Sequence, residues 1–161
     1  MITTLSPTQS SEPKRKDRVG NGQMMKPSAR RRARKLALQA IYQWQLAETA
    51  LGALTEQFLT EVNEKKVDVA YFRGLLIAVI RNVIEIDAKI VPALDRKITE
   101  LNPIELAVLR LAVGELMYKK DVPYKVVINE ALELTKIFGS ADGFKYVNAV
   151  LDKTAKLMNN E

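Results

Sequence analysis

Residues 104–117 place the tightest limit on what this chain can fold into. Read as a helix, the stretch holds Ile104, Leu106, Ala107, Val108, Leu109, Leu111, Ala112, Val113, Leu116 and Met117, and it leaves no wet face. A helix that is apolar nearly all round has to be enclosed by other elements. Those elements read as helices too. Apolar residues recur at the helical period through most of the chain from Pro27 onward, and no strand-like alternation competes. The sequence therefore predicts an all-α fold of about seven helices. Asn102 caps the enclosed helix and Pro103 takes its first position. Gly114 is expected to permit a close helix contact. Glu115 projects beside Ile104, Val108 and Leu111, and a carboxylate buried there needs partners. It is expected to accept hydrogen bonds that hold a neighbouring helix end, not to do acid–base chemistry.

The other helices follow from their stripes and stop signals. The first covers 27–47, with apolar residues at 33, 36, 37, 40, 41, 44 and 47. Gly52 marks its end or its exit loop. A second helix is expected at 54–62. A third, at 69–86, carries Phe72, Leu75, Leu76, Val79, Ile80, Val83 and Ile86 on one stripe. A short fourth at 87–97 has to accommodate Pro92. A sixth runs over 125–137 and stops at Phe138 and Gly139. Ser140 or Asp142 caps a seventh that ends near Met158. Its stripe of Phe144, Val147, Asn148, Leu151, Ala155 and Met158 puts one amide inside, where it is expected to be hydrogen-bonded. Residues 1–24 bury too little apolar surface to offset ordering entropy and read as a disordered basic tail. The helical domain is 25–161.

Charge separates these parts. Residues 1–35 hold ten Lys/Arg against two acids, whereas the remainder holds fifteen against seventeen. Basic character concentrated at one end points to a polyanion. On a helical wheel Arg31, Lys35 and Tyr42 fall opposite the apolar stripe of the first helix, beside Leu38. Arginine forks onto phosphate and stacks on bases, and Tyr42 and Tyr146 offer rings to unpaired bases. RNA, single-stranded in preference to duplex, is the leading ligand. An acidic protein partner is the alternative. The chain has neither cysteine nor histidine, which removes the commonest nucleophile–base pairs and metal ligands. It has no phosphate-binding glycine loop of either common type. The expectation is a protein that is not an enzyme and uses no cofactor or metal. No apolar run is long enough for a membrane span and no secretory signal is seen, so the expected location is cytoplasmic.

Several motifs in order resemble the bacterial transcription antitermination family NusB. They are the run from Met25 to Gln45; Asp68 to Phe72; Ala107 to Ala112 with Glu115 and Leu116; Asp121 to Ala131; Phe138 and Gly139 through Asp142; Lys145 to Asn148; and Val150 to Lys153. The resemblance covers residues 25–161. It implies two small packed helical bundles around a long helix. It also implies binding, together with ribosomal protein NusE, to the boxA element of nascent ribosomal RNA, and entry into the RNA polymerase elongation complex. By position, Arg30, Arg31, Arg32 and Arg34 match the family's arginine-rich RNA-binding stretch. Asp142, Lys145 and Tyr146 match its second RNA-proximal patch. Glu105 matches an acidic position at the NusE and RNA contact surface, with Tyr42 nearby. Leu106 stands where relatives often have a basic residue, and residues 1–24 have no counterpart in short-start members. Self-pairing, which some members show, would cover the arginine face until RNA arrives. Similar helical domains also precede ribosomal RNA cytosine methyltransferases, whose chemistry needs a Gly-rich cofactor loop and a nucleophilic cysteine, and this sequence carries neither.

Overall fold

The computed structural model describes residues 26–161. The tail expected at 1–24 lies outside the described residues. Seven α-helices follow in order: α1 Pro27–Ala47, α2 Leu51–Leu59, α3 Val69–Arg81, α4 Val83–Ile90, α5 Pro103–Tyr118, α6 Tyr124–Phe138 and α7 Ala141–Asn159. Short 3-10 turns at Val91–Ala93 and Ile98–Glu100 link α4 to α5. No strand occurs among the described residues.

Local chemistry explains where the helices begin. Asp68 Oδ1 accepts the Tyr71 amide at 3.0 Å to start α3. Asn102 Oδ1 accepts the Ile104 amide at 2.8 Å to start α5, with Pro103 in the first position. Ser140, not Asp142, caps α7, its Oγ accepting the Gly143 amide at 2.9 Å. Such side-chain oxygens satisfy amides that the helix itself cannot.

Helix α5 is the shared element. It packs against α1 and α3 on one side and against α4, α6 and α7 on the other, while α2 completes the first bundle through α1 and α3. The run from Ala107 to Glu115 is buried except for half-buried Arg110. The all-round apolar pattern thus marks the helix with neighbours on every side. Gly114 is where they come closest. A Cβ there would lie 2.8 Å from Val79 Cγ2 and 3.3 Å from Ile86 Cδ1. Overpacking of this kind costs about 1–3 kcal/mol, against about 1 kcal/mol gained from helix propensity. Gly114→Ala is expected to lower the urea midpoint of unfolding, and a raised midpoint would show that this contact is slack.

Five expectations need correction. The stripe at 69–86 belongs to two helices, because the chain breaks at Asn82 (φ −125°, ψ 27°), whose side-chain amide donates to Ala78 O at 2.9 Å. The break lets α4 leave α3 and join the second bundle. Gly52 lies inside α2; α1 instead stops at Glu48, in the left-handed region at φ 53°, with its amide donating to Trp44 O. Pro92 sits in a 3-10 turn, where its missing amide is tolerated. Asn148 is exposed, the buried face of α7 being Val147, Val150, Leu151, Thr154 and Ala155. Leu38, placed on the outward side, is buried under its neighbours.

Candidate nucleic-acid interface

Four arginines open α1, and the fold uses them differently. Successive residues on a helix are turned by about 100°, so a cluster in sequence spreads around the axis. Arg34 points inward and is 4% exposed. Its Nε and Nη2 donate to the Glu115 carboxylate at 2.9 and 2.6 Å. The Tyr71 hydroxyl donates to the same carboxylate. Burial alone would lower the pKa of Arg34, but the hydrogen bonds and charge of Glu115 outweigh it and hold it above the usual value. Burial, with Glu115 beside it, pushes the Tyr71 phenol well up. Arg34 is therefore an internal strut joining α1, α3 and α5, and its burial takes it out of the RNA-binding stretch to which the resemblance matched it. Glu115 accepts hydrogen bonds, as expected, but from two side chains, the Arg34 guanidinium and the Tyr71 hydroxyl, and not from the backbone of a helix end.

Arg30 is half-buried. Its guanidinium lies 4.1 Å from the Tyr71 ring centroid, and its Nε is 3.8 Å from Asp68 Oδ2. Arg31 is exposed but holds Glu130 of α6 with two bonds, Nε to Oε1 at 3.0 Å and Nη2 to Oε2 at 3.1 Å. Those bonds, then the Glu130 charge, raise its pKa. Arg32 is exposed and forms no ion pair with another described residue. Lys35 is exposed one turn further along, its Nζ 6.0 Å from the Phe138 ring.

Phe138 joins the two expected patches. It ends α6, immediately before the loop that carries Ser140 into α7. Together with Leu38, Gln39, Tyr42 and Ile104 it lines an open apolar groove of about 270 Å³. Ile104 and Glu105 open α5. A Cβ on Gly143 would lie 2.7 Å from Glu105 Oε2, so the Glu105 carboxylate sits against the first turn of α7. Asp142 and Lys145 are exposed on that turn. Tyr146 is half-buried. Its hydroxyl donates to Asp95 Oδ1 at 3.3 Å, and the Arg96 guanidinium lies 4.5 Å above its ring. Burial and then the Asp95 charge raise the Tyr146 pKa. A strip thus runs from Arg31 through Lys35, Phe138, Tyr42 and Ile104 to Glu105, which abuts the first turn of α7, the turn that carries Asp142 and Lys145.

This strip can hold phosphates at its basic α1 end and flat apolar groups in its middle. Among the described residues no group of three or more His, Cys, Asp or Glu is placed to hold a metal ion. No helix of the described residues is long and apolar enough to cross a membrane. Sequence reasoning missed Phe138, read only as a stop signal, and also Ile104, Arg96 and Glu130. A large aromatic ring ahead of a stopping glycine was the available clue to Phe138.

Comparison with known proteins gives the family. The NusB family model matches residues 31–156. The transcription antitermination protein NusB of Tolumonas auensis is 56% identical over 134 residues, 83% of this chain and 97% of that protein. The NusB of Shewanella amazonensis is 55% identical over 129 residues, 80% of this chain and 96% of its own length. Among solved structures, T. maritima NusB superposes with a TM-score of 0.73 at 31% identity, covering 83% of this chain and 93% of that one. A crystal structure of the antitermination factors NusB and NusE in complex with dsRNA gives 0.71 at 27% identity, covering 79% and 96%. With the family model matched over most of its length and relatives above half identity, this chain belongs to the NusB family of transcription antitermination proteins.

Proposed function

We propose that this protein is a noncatalytic antitermination factor of the cytoplasm. Paired with ribosomal protein NusE, it binds the boxA element of nascent ribosomal RNA and joins the RNA polymerase elongation complex. The observation that carries the reading is the strip itself. Arg31 and Lys35, one turn apart on α1, lead to a groove bearing Tyr42 and Phe138, and Glu105, beside Ile104 of that groove, reaches the first turn of α7, which carries Lys145. Arg31, Arg32, Lys35 and Lys145 take phosphates, while Tyr42 and Tyr146 offer rings to bases. Glu105 and Tyr42, at the α5 end of the groove, serve the protein partner. Arg30 supports the strip from behind, through Tyr71. The solved relative that holds NusE and dsRNA together supports assigning both ligands to one molecule.

The test is a titration of single-stranded boxA-type RNA, with and without NusE, at two salt concentrations. Binding is expected to tighten with NusE and to weaken linearly on a log–log salt plot. A folded chain that ignores the RNA even with NusE present would turn the reading toward an acidic protein partner.

A further inference from the structure

We infer that Glu130 is a built-in competitor for RNA at Arg31, so that RNA binds by exchanging a carboxylate for a phosphate in one guanidinium fork. The inference rests on the RNA-binding reading above. A guanidinium offers phosphate two parallel bonds, and in the free protein Glu130 already occupies such a pair through Nε and Nη2. The two partners are unequal. The Arg31 side chain is 61% exposed, whereas that of Glu130 is 13% exposed. Glu130 is thus the fixed member and Arg31 the mobile arm.

A second cation makes the exchange feasible. Arg34 Nη1 lies 3.8 Å from Glu130 Oε1, and Arg34 is itself anchored on Glu115. When Arg31 swings out to a phosphate, Glu130 keeps a positive neighbour and is not stranded. A half-buried carboxylate without that neighbour would resist losing its partner. The groove beside the pair, about 540 Å³ and lined by Pro27, Arg30, Asp121, Pro123 and Asn129 among others, gives the arm room to move. The consequence is a site whose affinity for stray phosphate is held down until a ligand engages the rest of the strip.

The experiment uses the full chain carrying Glu130→Gln, Arg31→Ala, or both. Binding is measured to single-stranded boxA-type RNA with NusE, and to inorganic polyphosphate as a probe without bases. Glu130→Gln is expected to bind both ligands roughly 2- to 5-fold tighter, the range set by releasing one exposed ion pair. The gain should vanish in the Arg31→Ala background. Unchanged or weaker binding by folded Glu130→Gln, or a gain that persists without Arg31, overturns the proposal. Should Glu130→Gln fold poorly, the Arg31 Nε–H signal in the NMR spectrum of the unaltered protein decides. It should shift on saturation with polyphosphate while that of Arg34 stays, and a stationary Arg31 signal sinks the exchange. If polyphosphate shows these effects and RNA does not bind, the competition stands and the RNA reading falls. If RNA binds and Glu130→Gln changes nothing, only the competition falls.

Discussion

Replacing Arg34 by alanine is expected to destabilise the fold by about 3–5 kcal/mol, the usual effect of removing one member of a buried ion pair. The substitution leaves the Glu115 carboxylate, 1% exposed, with only the Tyr71 hydroxyl to compensate its charge. Against a typical total stability of about 5–15 kcal/mol, that brings a domain of this size near its unfolding threshold. The pair, not the arginine alone, is the physical unit. Arg34→Met combined with Glu115→Leu removes the orphaned charge together with its partner and should restore most of the loss, since apolar replacements of whole buried pairs are often neutral. Urea unfolding of the single and double variants measures both. A loss below about 1 kcal/mol for Arg34→Ala, or a double variant no better than the single, would show that the strut does not hold the helices together. Tyr71 adds a pH signature. Its phenol keeps its proton in the folded state to higher pH than the usual value of about 10 in an unfolded chain. The folded state is therefore favoured fully below about pH 10 and loses this contribution as pH rises beyond it.

The strut also shows what a sequence can and cannot reveal. The enclosed helix, its cap and its buried acid were all readable at 102–118, because burial on every side writes an unmistakable pattern into one segment. The partner of Glu115 was not readable, although a buried carboxylate demands one. Arg34 sits among other arginines, and clustering in sequence invites a common role, whereas a turn of about 100° per residue assigns each its own direction. Asn82 hid for a related reason. Periodicity reports which faces are buried, and the stripe from Phe72 to Ile86 stays in register across a broken backbone. Gly52 misled because glycine permits a helix to stop without requiring it to; the stop fell to Glu48, one of the uncommon non-glycine residues that adopt positive φ. The strip itself was half legible. Arg31, Lys35 and Tyr42 follow from one wheel, but Phe138 and Ile104 reach the groove from other helices, and no local pattern encodes that meeting.

Removing Arg31, Arg32 and Lys35 together, each as alanine, should leave the fold nearly intact and strip RNA binding of much of its electrostatic part. All three are exposed, and none belongs to the buried face of α1. Surface changes of this kind move stability little. If each cation neutralises one phosphate of a single strand, the log–log salt slope becomes shallower by about 2, at roughly 0.7 per contact. Extended from 1 M to 0.1 M salt, that slope difference amounts to about 100-fold in affinity. The contrast with Arg34 is what makes the measurement decisive. Arg34→Ala is expected to lower the folded fraction while leaving the salt slope of the folded molecules unchanged, because its guanidinium faces Glu115 and not the ligand. The triple variant should do the reverse. Salt-dependent RNA titrations in the presence of NusE, corrected for folded fraction by circular dichroism, read both quantities. An unaltered slope in the triple variant would mean that the exposed end of α1 carries no phosphates, and a slope altered by Arg34→Ala would mean that the buried strut is not fixed when RNA is bound.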